Sequence, residues 1–66
     1  MTIYSVIKGL AQKQEISVYQ MEHDLGFPNG IISKWNHSMP GADKLQLVAD
    51  YLGVTTAFVL NKSKEN

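Results

Sequence analysis

An all-α fold is predicted for this 66-residue chain by three observations. Apolar residues return at three- and four-residue steps along its longer stretches, which is the period of a helix face. Helix-starting residues (Thr2, Ser17, Asn29, Thr55) and helix-ending glycines (Gly26, Gly53) punctuate those stretches. No stretch alternates apolar and polar residues with the period of a half-buried strand. Together they predict five short helices.

Ile3, Ile7 and Leu10, with Val6 beside Ile7, put an apolar face on helix one, over about 2–14 with Thr2 as its cap. Lys8 and Lys13 fall on or near its wet side. Helix two is predicted over about 18–25. Ser17 followed three residues later by Gln20 is a capping-box pattern, and Ile16 and Met21 sit where a hydrophobic staple would clamp the start. Val18, Met21 and Leu25 form its apolar stripe, and Gly26 ends it.

Helix three must begin almost at once, because Pro28 and Asn29 are both start residues. It is predicted over about 29–37, with Ile32 and Trp35 pointing inward. Its opposite face carries Asn29, Gly30, Ser33, Lys34 and His37, which are small or polar with one charge. The loop 37–41 leads to helix four over about 42–52, where Leu45, Val48, Ala49 and Leu52 repeat at helical spacing and Asp43 suits the positive N-terminal end. Gly53 stops it. Thr55 caps helix five, which runs to about Leu60 with Phe58 and Val59 as its buried anchors. Residues 1–60 form the predicted domain and 61–66 a polar, frayed tail.

The bulk numbers exclude several classes. An apolar content of 44% is ordinary for a globular domain, near the lower size at which a hydrophobic core suffices. No apolar run approaches a membrane span, and the start MTIYSVIKGLAQ lacks the basic lead and cleavage site of a signal peptide. The chain has no cysteine, which suits a cytoplasmic location. No enzyme, cofactor or metal is expected. His23 and His37 are the only histidines, and no metal-ligand spacing is present. Glu22, His23 and Asp24 are adjacent on a helix, so their side chains diverge and cannot converge on one proton. Six basic residues balance six acidic ones, so non-specific affinity for nucleic acid should be weak.

Two short helices crossing after a glycine turn, with a polar face on the second, match what a DNA major groove accepts. The segments ISVYQMEHDLG, NGIISKW and ADKLQLVADYLGV, in this order, carry a resemblance. The chain resembles the lambda-repressor-like helix-turn-helix regulators of the phage Cro and xenobiotic-response-element type, over residues 3–60. The closest likeness is to the compact single-domain branch of phages and Gram-positive bacteria.

That resemblance implies a five-helix DNA-binding domain with helix three as the recognition helix. Carried over by position, Asn29, Gly30, Ile31, Ser33 and Lys34 would contact bases, Ile31 through a thymine methyl. Ser17, Tyr19, His37 and Lys44 would hold phosphates, which position the protein without reading sequence. Relatives act as homodimers on palindromic double-stranded operators. A dimer here is expected to use helix five, at Ala57 and Phe58.

Three residues depart from the family pattern. Val18 stands where many relatives carry a DNA-contacting glutamine. Glu22 stands where a small residue lets the helices approach, and Pro28 replaces a serine or threonine cap. The function the resemblance implies is a sequence-specific transcriptional regulator, a Cro-like repressor. The alternative is a protein-binding modulator of the same fold, using an acidic patch at Glu22 and Asp24 against a basic partner. A third reading makes the chain the DNA-binding domain of a longer parent.

Overall fold

A computed structural model describes residues 2–64. It contains α1 (Ile3–Lys13), α2 (Val18–Leu25), a 3₁₀ segment (Ser33–Asn36), α3 (Ala42–Leu52) and α4 (Thr56–Ser63). Among the described residues there is no strand, so the class is all-α. No helix there is long and apolar enough to cross a membrane.

Local chemistry sets most of the boundaries. Thr2, Ser17 and Thr55 each hold an extended backbone and accept an amide three residues on, from Ser5 at 3.1 Å, Gln20 at 3.0 Å and Phe58 at 3.0 Å. Each hydroxyl thereby satisfies a donor that the first helical turn leaves without an intrahelical partner. Only half of the expected capping box forms. The Gln20 amide does not reach back to Ser17 but donates forward to Asp24 Oδ1 at 2.7 Å. Gly26 ends α2 with φ of 72°, a left-handed conformation open to glycine at little steric cost. α1 ends without a glycine. Glu15 takes the left-handed position at φ of 59°, and Ile16 N–H returns to Ala11 O at 2.9 Å.

The core is one cluster. α1 supplies Ile3, Val6, Ile7 and Ala11, α2 supplies Met21, and α3 supplies Leu45, Val48, Ala49 and Leu52. Val59 of α4 completes it, with Ile32 and Trp35 of the connecting segment, residues 27–41 between α2 and α3. α1 packs against α3, α4 and the 3₁₀ segment, while α2 rests on α3. Two expectations for the last helix are corrected. Val59 is buried, but Phe58 is 41% exposed and anchors nothing in the interior. The helix also continues to Ser63, three residues beyond the expected end, where the Ser63 hydroxyl donates to Leu60 O at 2.7 Å. Of the predicted tail, residues 65–66 lie outside the described residues.

The larger correction concerns helix three. Residues 29–37 do not form an α-helix; they form a succession of turns closing into the 3₁₀ segment Ser33–Asn36. Gly30 sits at φ of 84°, which breaks any helix running through it. The β-branched pair Ile31 and Ile32 follows and favours a helix weakly. The bonds that form are three residues apart: Ile31 N–H to Pro28 O, Lys34 N–H to Ile31 O and Trp35 N–H to Ile32 O. Among the described residues there are therefore four α-helices where five were expected.

Side-chain bonds also tie the elements together. Gln14 Nε2 donates to Leu52 O at 2.7 Å, satisfying a carbonyl at the end of α3. The Tyr51 hydroxyl donates to Asp24 Oδ2 at 2.5 Å, linking α3 to α2. This bond, then that from Gln20, holds the Asp24 carboxyl below the ordinary aspartate range, and the same bond raises the Tyr51 phenol. A lowered carboxylate contributes stability that is present above its unfolded pKa and is lost as pH falls through the folded one. A raised phenol contributes stability that is lost as pH rises through its folded pKa. Tyr51→Phe should therefore lower the melting temperature slightly at neutral pH, with the difference closing as pH falls through the lowered folded-state pKa of Asp24. Measured by NMR, the Asp24 carboxyl pKa should rise in that variant.

Candidate nucleic-acid interface

The site begins at the end of α2. Gly26 turns the chain, and Phe27 N–H donates to Glu22 O at 2.8 Å. Pro28 and Gly30 then keep the backbone from resuming an α-helix. The connecting segment is held to the body from two sides. From the core side, Ile32 and Trp35 are buried, and the Phe27 ring meets Trp35 edge-on at 6.5 Å and 70°. From the α2 side, Glu22 is the one charged residue buried among those described, at 3% exposure.

Glu22 spends both carboxylate oxygens on the segment. Oε1 accepts the Gly30 amide at 3.1 Å, and Oε2 accepts the Ile32 amide at 2.9 Å. A carboxylate offers two acceptors and no donor, which matches two amides pointing the same way. Those amides would otherwise be without partners where the chain leaves its turns and enters the 3₁₀ segment. No buried side-chain polar atom among the described residues lacks a partner. The expected acidic patch is corrected by the same geometry. Glu22 faces inward, and Asp24 is engaged by Tyr51 and Gln20, so the pair offers no joint surface to a basic partner.

The predicted contact residues fall into three groups. Asn29, Gly30, Ser33 and Lys34 are all exposed on the connecting segment. Ser33 is also fixed, its hydroxyl donating to Gly30 O at 2.7 Å. Ile31 is half-buried and packs against the core, so it offers only part of its side chain to a ligand. Ser17, Tyr19, His37 and Lys44 are exposed, with Tyr19 at 64%. The Ser17 hydroxyl already accepts from Gln20 N–H and has its own proton left to donate. Ala57 and Phe58 are exposed together on α4, away from the connecting segment in sequence.

Glu22 was missed as a site residue, although a signal existed. It lies four residues after Val18 and three before Leu25, so it falls on the apolar stripe of α2. An acidic residue on a core-facing stripe needs buried donors, and the only backbone nearby with spare amides is the turn that follows. Among the described residues no three of His, Cys, Asp and Glu lie close enough to share a metal ion. Compared with protein families, curated proteins and solved structures, the chain matches none.

Proposed function

We propose that this protein is a sequence-specific DNA-binding regulator of the lambda-repressor-like helix-turn-helix type, acting as a Cro-like repressor. The observation that carries the reading is the connecting segment itself. Its apolar residues Ile32 and Trp35 are anchored inward, while Asn29, Ser33 and Lys34 stand exposed beside it on a backbone clamped by Glu22. Exposed polar groups on a backbone held from two sides suit base edges, since lysine pairs with guanine O6/N7 and asparagine with adenine N6/N7.

The segment is short, so the reach into a groove differs from that of a full recognition helix. Four 3₁₀ residues advance about 8 Å, whereas nine α-helical residues would advance about 13 Å. The base contacts are accordingly concentrated at Asn29, Ser33 and Lys34. Ser17 and Tyr19 at the start of α2, with His37 and Lys44 beyond the segment, hold the flanking phosphates. Two copies then bind half-sites about 34–36 Å apart, one turn of DNA.

The test is selection of bound sequences from randomised duplex DNA at moderate salt. A recovered palindrome with half-sites one turn apart supports the reading, and recovery of nothing above background removes it. On the recovered site, Lys34→Ala should cost about 1–3 kcal/mol and relax preference at the base it reads. A dimer making about 4–6 phosphate contacts should show a log–log salt slope of about −4 to −5.

A further inference from the structure

We infer that the Asn29–Gly30 bond is a self-modification site, where asparagine deamidates through the backbone, and that the Glu22 carboxylate holds the reaction off. The inference is independent of the proposed function, since it concerns the chain itself and not a partner. Of the asparagines Asn29, Asn36, Asn61 and Asn66, only Asn29 precedes a glycine. No Cβ then hinders the backbone nitrogen that must approach the asparagine side chain. Asn29 and Gly30 are both exposed, so water reaches the pair.

The reaction uses only the chain and water. Gly30 N gives up its proton to solvent base and attacks Asn29 Cγ. The N–Cγ bond forms, and the Cγ–Nδ2 bond breaks as Nδ2 takes up a proton and leaves as ammonia. The product is a cyclic imide. Water then adds to one of its two carbonyls and opens the ring, leaving an aspartyl or an isoaspartyl linkage at position 29. The isoaspartyl form routes the main chain through the former side chain and lengthens it by one carbon.

The fold opposes the first of these steps. Gly30 N–H donates to Glu22 Oε1 at 3.1 Å, so the nitrogen that must attack is engaged elsewhere. Attack also requires that nitrogen to lose its proton, and a negative carboxylate beside it disfavours the anion. The Ile32 amide on Oε2 at 2.9 Å keeps the carboxylate aimed at the segment, and the Ser33 hydroxyl on Gly30 O at 2.7 Å restrains the next peptide. The reactive pair is nonetheless built in by the turn. Gly30 has φ of 84°, while a Cβ there would meet only Ser33 Oγ, at 3.9 Å. Backbone conformation therefore calls for the glycine, and the same glycine leaves Asn29 open to attack. Conversion puts a new carboxylate one residue from the clamped amide. In the isoaspartyl form it also shifts that amide away from its acceptor, so the clamp does not close again.

The full chain, kept in warm, mildly alkaline buffer with and without urea, tests this. Digests followed by mass spectrometry report replacement of the Asn29 amide by a carboxylate, and chromatography separates the two products. Each hydrogen bond to a charged group resists opening by about tenfold or more. Native conversion at Asn29 should therefore run about a hundredfold slower than conversion in urea, and Glu22→Gln should speed native conversion about tenfold. Val59→Ala, a core change in α4, is the control, with urea added until both variants are equally unfolded overall. Glu22→Gln should still convert faster than this control. Native conversion of the parent as fast as in urea overturns the inference. So does equal conversion in Glu22→Gln and the matched control, which would place the protection in the whole fold and not in Glu22. Failure of the DNA selection leaves all of these readouts intact.

Discussion

Replacing Glu22 by alanine should lower the free energy of unfolding by about 3–5 kcal/mol, the larger part of what a domain this size possesses. The side chain is 3% exposed and accepts amides from Gly30 and Ile32 at 3.1 and 2.9 Å. A hydrogen bond to a charged group contributes about 1.5–3 kcal/mol, and a buried donor left without a partner costs about 1–3 kcal/mol. Two such amides are involved, one of them fully buried. Glu22→Gln keeps the shape and one acceptor but turns an amide NH₂ toward a backbone N–H. Its expected loss is smaller, about 1–3 kcal/mol. Urea denaturation followed by the fluorescence of the single tryptophan ranks the three proteins. Glu22→Gln should also speed amide exchange at one of Gly30 or Ile32 while leaving α1 protected. Equal stability of the alanine variant and the parent would show that the clamp holds nothing.

Trp35→Ala should destabilise the domain as severely as Glu22→Ala and lower its melting temperature steeply. Deleting a buried tryptophan side chain costs about 3–5 kcal/mol through lost transfer energy and the cavity left behind. At about 0.05–0.15 kcal/mol per residue, a chain of this length holds only about 3–10 kcal/mol in total. Trp35 is also the point where three parts of the molecule meet. It belongs to the segment packed on α1, it joins the central core cluster, and its ring packs T-shaped with that of Phe27. Trp35→Phe preserves an aromatic ring for Phe27 and should cost much less. Far-ultraviolet circular dichroism reports both variants, since the intrinsic fluorophore is removed. An alanine variant that melts with the parent would mean that the segment is not part of the cooperative unit.

Much of the candidate interface could be read in advance because it depends on a spacing that two conformations share. Residues three apart lie on one side of a 3₁₀ turn and near one another on an α-helix. Ile32 and Trp35 therefore point inward in either form, and Asn29, Ser33 and Lys34 stay outside. The conformation itself was not legible. Pro28 and Asn29 look like a helix start, and nothing local shows that Gly30 will take φ of 84°. Phe58 was misread for a related reason. Periodicity places it beside Val59 on a short helix, but only the packing of α4 on α1 decides which of the two faces the core.

The all-α class, the caps at Thr2, Ser17 and Thr55, the glycine end of α2 and most of the core are legible from neighbouring residues alone. Each depends on neighbours a few residues apart, where side-chain chemistry and helical period act directly. The form of residues 28–37 depends instead on packing across the fold. There an eight- to ten-residue separation brings the Glu22 carboxylate onto two amides, and burial of Ile32 and Trp35 on α1 competes with an α-helical ladder. A contact that long-range packing must first assemble leaves no periodic trace, because its energy appears only when both partners are already in place.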